Sequence, residues 1–317
     1  MIRIACILSI AVAACSTGRD VGAPHHPDLS LTKLALEAEG GSKLFRSYQP
    51  NGPVLWSQGW TWKLDLTGVA WDRSNTATVI TPRHVVMAAH YTRKVGQKLV
   101  FHDRTGKRHA RTVERIISFK DRGVGGDVAV GLLDSPLPAS IRTYPLPALG
   151  EQDGASLVGA VALVTEQKRS LYFHQIGSVY SQGLVFRFDS RISSNRRKHL
   201  VAGDSGHPSF LLSKGELVLL ETHTGGGPGS GPFYGSRLVQ KQIERIVEEL
   251  DPKYSVRTIS IDKRALDEAE TGREAMPKPP PRPAQASPQP APPSNSGTPR
   301  RPRPRVVRPP EEPTSTP

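Results

Sequence analysis

Cysteine is almost absent from this chain of 317 residues, and aromatic residues make up only 6% of it. Both cysteines, Cys6 and Cys15, lie in an apolar segment near the N-terminus. The remainder of the chain therefore has no internal disulfide, and its stability must come from a hydrophobic core. No apolar run is long enough to span a bilayer as a mature helix. No sequence module typical of nucleic-acid-binding proteins is present.

Positive charge is in excess, with a net charge of +13 and an isoelectric point near 10. Part of the excess lies in an arginine-rich C-terminal tail, which also holds many of the 29 prolines. The low hydrophobic content of 37% reflects the same tail. We interpret the charge as a solvated basic surface and expect no nucleic-acid partner.

The first residues resemble a bacterial export signal. Arg3 supplies positive charge, a short apolar stretch follows, and Val-Ala-Ala-Cys ending at Cys15 is similar to a lipobox. This predicts a lipoprotein signal peptide at residues 1–14, with Cys15 lipidated as the new N-terminus. Ser16 replaces the aspartate that retains lipoproteins at the inner membrane. The expected location is the cell envelope, lipid-anchored at the outer membrane or periplasmic face in a Gram-negative cell. The alternative is an ordinary cleaved signal and a secreted protein.

The rest of the chain divides by composition. Residues 15–44 are polar and predict a tether, with one short helix at 31–39. Between 45 and 250, short alternating apolar runs separated by glycine-containing turns predict an all-β domain. An amphipathic pattern at 238–250 predicts a helix that ends this domain. Residues 251–276 form an extension. Residues 277–317 are rich in proline and arginine and predict a disordered tail.

Three segments carry residues suited to nucleophilic catalysis. Ala-Ala-His ends an apolar run at His90, and Asp127 directly precedes another apolar run. Gly-Asp-Ser-Gly at residues 203–206 places Ser205 in a tight turn, because glycine tolerates backbone conformations closed to other residues. A serine hydroxyl needs a base to take its proton and donors to stabilise the oxyanion. Together, the three segments offer each of these groups.

These residues, in the order His, Asp, Ser, resemble the chymotrypsin-like (trypsin-like) serine peptidases of the bacterial type without disulfides. The resemblance covers roughly residues 45–250. It implies that His90 is the general base, Asp127 orients it, and Ser205 is the nucleophile. It also implies an oxyanion hole made by the backbone N–H groups of Gly203 and Ser205. The implied fold is two packed six-stranded antiparallel β-barrels with a C-terminal helix.

Other residues compete for some of these roles. His84 is the rival histidine, and the alternative carboxylates are Asp103, Asp121 and Asp134. In relatives activated by cleavage, the acid at the position of Asp204 pairs with a new amino terminus. This chain contains no matching Ile-Val-Gly-Gly start. We therefore expect Asp204 to pair with a group that the sequence does not identify.

Two histidines are candidates for substrate binding. His199 lies six residues before Ser205, where the family often places the base of its specificity pocket. His223, in Thr-His-Thr-Gly-Gly, resembles the His-Trp-Gly-Gly segment of bacterial glutamyl endopeptidases. These residues predict a preference for an acidic or polar P1 side chain. A structural histidine on a strand is the alternative for His223.

We predict that the protein is a serine endopeptidase, which acts through an acyl-enzyme on protein or peptide substrates. We also expect the lipid anchor to attach it to a membrane. No metal-ligand spacing occurs, and the glycine-rich stretch at 225–231 lacks the context of a phosphate loop, so we expect neither metal nor cofactor. The alternatives are a catalytically weak peptide-binding module on the same fold, and a tether whose basic tail binds polyanions.

Overall fold

The computed structural model describes residues 29–149 and 154–276. The predicted signal peptide, the lipidation of Cys15, the first part of the tether and the tail at 277–317 lie outside the described residues. Within the described ranges, no helix is both long enough and apolar enough to cross a membrane.

The described part of the chain contains helices and short strands. The helices are α1 (Leu31–Glu37), α2 (Arg237–Leu250) and α3 (Lys263–Glu274). The strands, in chain order, are β1 (Phe45–Ser47), β2 (Leu55–Trp56), β3 (Thr78–Thr81), β4 (His84–Ala88), β5 (Lys98–His102), β6 (Arg108–Ser118), β7 (Val128–Leu133), β8 (Leu146–Ala148), β9 (Val161–Thr165), β10 (Leu171–Val179), β11 (Gly183–Arg187), β12 (Pro208–Ser213), β13 (Glu216–Thr222), β14 (Ser230–Pro232) and β15 (Thr258–Ser260).

Most strands belong to two antiparallel sheets. The five-stranded sheet has the order β3-β4-β7-β6-β5, and the six-stranded sheet has the order β13-β12-β9-β10-β11-β14. With the C-terminal helix, this architecture confirms the all-β, chymotrypsin-like fold class. The first sheet has five strands where six were expected, because the segment before β3 forms only an isolated bridge from Val69 to Thr78.

The two sheets share one core. Val86 of β4 and Val130 of β7 belong to a buried cluster that also contains residues of the six-stranded sheet and of α2. Val85 and Met87, which alternate with Val86 along β4, pack instead with Phe101 inside the five-stranded sheet. Successive side chains on a strand point to opposite faces. Burial on both faces explains why β4 and β7 are continuous apolar runs.

The folded unit begins before residue 45. Helix α1 lies inside the predicted tether, with the Ser30 side chain accepting a hydrogen bond from its first turn. Leu31 and Leu34 are buried in the shared core. Helix α1 thus packs with the core although it precedes the predicted domain boundary at 44/45. Two leucines on a seven-residue helix are too weak a pattern to separate a docked helix from a solvated one.

The folded unit also continues beyond residue 250. Strand β15 pairs in parallel with β8, and the carbonyl of Gly272 in α3 accepts a hydrogen bond of 3.1 Å from Gln175 Nε2. Gly159 lies directly under α3, where a Cβ would collide with the carbonyl of Ala269. The predicted extension at 251–276 is thus packed against the six-stranded sheet.

Helix α2 follows its predicted position closely. It buries Val239, Ile243, Ile246, Val247 and Leu250. Leu238, which the pattern assigned to the same apolar face, is instead 57% exposed. Beyond its end, Asp251 accepts a hydrogen bond of 2.7 Å from Arg83, which ties the helix to the five-stranded sheet.

Candidate active site

His90 and Asp127 are brought together by the pairing of two strands. Strands β4 and β7 pair up to Ala88 opposite Val128, and the next main-chain contact runs from Ala89 N to Asp127 O. The chain then turns through a single 3₁₀ turn, Ala89–Tyr91. As a result, the backbone N–H of His90 donates to Asp127 Oδ1 at 2.8 Å, and His90 Nδ1 lies 2.5 Å from Asp127 Oδ2. Strand register alone therefore closes a gap of 37 residues.

Ser205 reaches the same place from the six-stranded sheet. It lies in a turn just before β12, and its Oγ is 2.9 Å from His90 Nε2. Glycines on both sides have positive φ, +94° at Gly203 and +84° at Gly206, a conformation that other residues adopt only with strain. The N–H of Gly206 donates to the carbonyl of His223 and anchors the turn.

The contacts define the protonation pattern of the histidine. An ionised carboxylate only accepts hydrogen bonds, so Nδ1 of His90 carries a proton and donates it to Asp127. In the neutral ring, Nε2 is then an acceptor and faces the hydroxyl of Ser205. The His90 side chain is 49% exposed and that of Asp127 is 28% exposed, so solvent reaches the site. This arrangement can remove the Ser205 proton.

The turn before Ser205 leaves two backbone donors open. Asp204 N donates to the carbonyl of Val201 at 3.0 Å, which closes a turn over residues 201–204. In the part of the chain that the structure describes, neither the Gly203 N–H nor the Ser205 N–H has a hydrogen-bond partner. Both are therefore available to an oxyanion, the role predicted for them.

Asp204 is buried beneath this turn, with 1% of its surface exposed. Its carboxylate accepts the N–H of Val201 at 2.8 Å and the N–H of Gln167 at 3.2 Å. Lys198 Nζ lies 3.9 Å from the same carboxylate and also contacts the fully buried Glu166. Asp204 is thus held by backbone donors and a lysine, the partners that the sequence left unidentified.

Sequence reasoning did not place Lys198, Glu166 and Gln167 beneath the Ser205 loop. The one local signal was an acid, Glu166, placed directly after the wholly buried strand β9. A charge in such a position needs a partner, because an isolated charge is expensive to bury. The identity of that partner depends on contacts between segments about 30 residues apart.

The two predicted substrate-binding histidines differ in accessibility. His199 is exposed and packs edge-on against Phe188, with ring centroids 4.7 Å apart. His223 is 1% exposed; its Nε2 donates to the carbonyl of Thr165 at 3.1 Å, and its Nδ1 lies 2.7 Å from Glu221 Oε1. Both ring nitrogens of His223 face protein atoms, so it presents none to solvent. Its role in substrate binding stays a prediction.

The rival residues have other partners. His84 is fully buried, its Nδ1 lies 2.8 Å from Thr81 Oγ1, and burial lowers its pKa to about 4. The alternative carboxylates accept hydrogen bonds from other residues. Asp103 accepts from Thr105 and His109, Asp121 from the backbone N–H of Ser118, and Asp134 from the hydroxyl of Ser135. Across 29–149 and 154–276, no group of three or more His, Cys, Asp or Glu residues is arranged to hold a metal ion.

Comparison with known proteins adds little to this picture. No family model matches the sequence, and no curated protein matches it. Among the solved structures that match is human heparin binding protein, at 18% sequence identity and a TM-score of 0.41, covering 55% of this chain and 85% of that chain. At this level the similarity carries no argument about activity. The chemistry of the site rests on its own residues.

Proposed function

We propose that the protein is a serine endopeptidase. The observation that carries this proposal is the continuous series of contacts from Asp127 Oδ2 to His90 Nδ1 (2.5 Å) and from His90 Nε2 to Ser205 Oγ (2.9 Å). The series has the polarity that nucleophilic catalysis requires, with a carboxylate at one end and a hydroxyl at the other.

In the proposed reaction, Ser205 Oγ attacks the carbonyl carbon of the scissile peptide bond while His90 Nε2 takes the hydroxyl proton. Asp127 stabilises the resulting imidazolium. The carbonyl oxygen becomes an oxyanion, which accepts hydrogen bonds from the N–H groups of Gly203 and Ser205. His90 then gives its proton to the leaving amine, and an acyl-enzyme remains. Water, deprotonated by His90, attacks the acyl carbon. The ester bond to Ser205 Oγ then breaks, His90 returns the proton to Oγ, and the acid product leaves.

Fluorophosphonate labelling tests the proposal against the alternative of a peptide-binding module without efficient turnover. Only an activated serine reacts, so the wild-type protein should gain one adduct, located by peptide mass at Ser205. Ser205→Ala should gain none, and Ser209→Ala, which alters a buried serine on β12, should label like wild type. A folded wild-type protein that never labels would contradict the proposal and favour the binding module.

The proposal extends to a preference for an acidic or polar P1 side chain over Lys or Arg. His199 supports it by its exposure and by its position six residues before Ser205. A substrate carboxylate directed at His223 would have to compete with Glu221 for Nδ1. Values of kcat/KM for Glu, Gln and Arg peptides, in wild type, His199→Ala and His223→Ala, test the preference. Arg peptides cleaved best throughout would refute it.

We also propose that the mature chain is anchored to the cell envelope through lipids on Cys15. Two acyl chains or more give stable attachment, whereas one chain anchors only marginally. Cys15→Ser should lose incorporation of labelled palmitate in a bacterial host, with Cys6→Ser as the matched control. Absence of label from wild type would rule out the anchor and leave a secreted protein.

A further inference from the structure

The oxyanion hole depends on the orientation of one peptide group, the one that joins Ala202 to Gly203. A peptide group is planar and trans, so its C=O and N–H point in opposite directions. Whatever holds the carbonyl of Ala202 therefore also aims the N–H of Gly203, which is one of the two open donors.

The backbone of the turn does not itself select that orientation. Ala202 and Gly203 are the two central residues of the turn over 201–204. Type I and type II turns differ by a rotation of this central peptide, and glycine at the third position is compatible with both. The observed φ of +94° at Gly203 belongs to the type II form. A contact from outside the turn can therefore select this form over the other.

The side chain of Gln167 makes such a contact. Its Nε2 donates to the carbonyl of Ala202 at 3.0 Å. The amide lies directly against the turn, because a Cβ on Gly203 would be 2.7 Å from Gln167 Oε1 and 2.8 Å from Nε2. Among the described residues, Gln167 is the one hydrogen-bond donor to the Ala202 carbonyl.

Gln167 is itself held firmly. It follows β9 by two residues, and its backbone N–H donates to the buried carboxylate of Asp204 at 3.2 Å. The tight turn that contains it is closed by Arg169 N donating to the carbonyl of Glu166 at 3.0 Å. The backbone and the side chain of one residue thus contact two successive parts of the loop that precedes Ser205.

We propose that Gln167 is a positioning residue that locks the Ala202–Gly203 peptide with the Gly203 N–H directed at the oxyanion. The inference rests on the proposed peptidase function. Gln167 touches neither the nucleophile nor the base, and acts only through the peptide that it holds. Without its amide, the peptide rotates and the oxyanion loses one of two donors.

The test replaces Gln167 with Met, which keeps the length of the side chain and removes the donor. The matched control is Lys168→Met, in the same turn. The Lys168 side chain is exposed, and within 29–149 and 154–276 only its main-chain carbonyl has a hydrogen-bond partner. Loss of an oxyanion donor lowers kcat by about 10²–10³-fold. Because the rotated peptide still returns to its productive orientation part of the time, we expect kcat to fall by about 10–100-fold in Gln167→Met, with KM within about twofold.

A second readout separates this role from a merely structural one. A peptide aldehyde, which forms a tetrahedral adduct with Ser205, should bind Gln167→Met more weakly by the same factor as the loss in kcat. A non-covalent product peptide should bind both proteins equally. Lys168→Met should match wild type in all three measurements. If Gln167→Met binds the aldehyde and the product peptide more weakly by the same factor, the proposal is overturned.

Crystal structures of wild type and Gln167→Met decide the matter independently of activity. The wild-type peptide should have one orientation and the variant a rotated or mixed one. An unchanged peptide in the variant overturns the inference even if wild type proves inactive, whereas absent labelling of wild type overturns only the proposed function. Should Gln167→Met fail to fold, Gln167→Ala provides the same comparison, since the side chain is half-buried.

Discussion

The five-stranded and six-stranded sheets position their parts of the site by different physical means. On the five-stranded side, the main-chain pairing of β4 with β7 sets His90 beside Asp127. On the six-stranded side, Ser205 lies in a loop shaped by charged groups, chiefly the buried carboxylate of Asp204 and the partly buried Lys198. The hydrogen bonds of that pairing join main-chain groups, so no single polar side chain holds the strands together. A loop held by buried charges depends on each of them.

The charges beneath the Ser205 loop form a small network. Glu166 and Asp204 are both almost completely buried and share one cation, Lys198. Backbone N–H groups supply further contacts, from Ser170 to Glu166 and from Val201 and Gln167 to Asp204. A buried ion pair contributes little net stability, but removal of one partner leaves an uncompensated charge. The six-stranded side should therefore be far more sensitive to substitution.

The largest effect is expected where the two sides meet. Ser205→Ala removes the nucleophile and should lower kcat by about 10⁶-fold, leaving about 10³–10⁴-fold catalysis over water from the oxyanion hole and binding. The melting temperature should change little, because among the described residues the hydroxyl has a hydrogen bond only with His90. Peptide hydrolysis followed by mass spectrometry measures the loss. Turnover near the wild-type value would mean that another group is the nucleophile.

On the five-stranded side, Asp127→Asn should reduce turnover by about 10⁴-fold at neutral pH. The amide side chain donates as well as accepts, so it favours the wrong tautomer of His90. The strand pairing, and hence the fold, should survive, as thermal unfolding will show. Asp134→Asn is the matched control, since this carboxylate lies at the far end of β7. An exchange of the two results would identify Asp134 as the orienting acid.

On the six-stranded side, Lys198→Met should lower the free energy of unfolding by about 3–5 kcal/mol, because Glu166 and Asp204 lose their shared cation. Denaturant titration measures the change. As a control, Lys168→Met at an exposed position should change the free energy of unfolding by less than about 0.5 kcal/mol. If Lys198→Met keeps the stability of wild type and Ser205 is labelled as before, the backbone donors suffice to hold the Ser205 loop. The two sides would then be equally insensitive to substitution.

The smallest expected effect is a difference in acid sensitivity between one buried histidine on each side. Burial lowers the pKa of His207, which packs against Trp71, to about 3, and that of His84 to about 4. The unfolded chain has a histidine pKa near 6.5. Stability from these neutral rings is complete above pH 6.5 and falls as pH drops toward the folded-state pKa, by up to about 1.4 kcal/mol per pH unit for each ring.

Unfolding curves between pH 7.5 and 3.5 measure this dependence. His207→Phe and His84→Phe should each make the free energy of unfolding less dependent on pH than in wild type. Subtracting the curve of a variant from that of wild type removes the contribution of the carboxylates, which both proteins share. The flattening from His207 should persist down to lower pH than that from His84. Parallel curves for wild type and both variants would show that neither ring is kept neutral by folding.

Much of the five-stranded side was predictable because its determinants are local. Burial on both faces makes β4 apolar from Val85 onward and β7 apolar throughout, and a functional residue flanks each run, with His90 after β4 and Asp127 before β7. The same kind of signal located helix α2. The sequence left open whether His223 is a structural histidine on a strand or a substrate contact, because its burial depends on a distant segment, the one that carries Thr165.

The sequence by itself determined the all-β architecture, the order of His90, Asp127 and Ser205, and the glycines that permit the turn at residues 203–206. These features depend on side-chain periodicity and backbone freedom, which are properties of short segments. Only the tertiary structure decided that Lys198 stands beneath Asp204 and that Gln167 faces the Ala202 carbonyl. The contacts of Gln167 with Ala202 and of Glu166 with Lys198 join segments more than 30 residues apart, and their partners are selected by three-dimensional packing and by the cost of an unpaired buried charge.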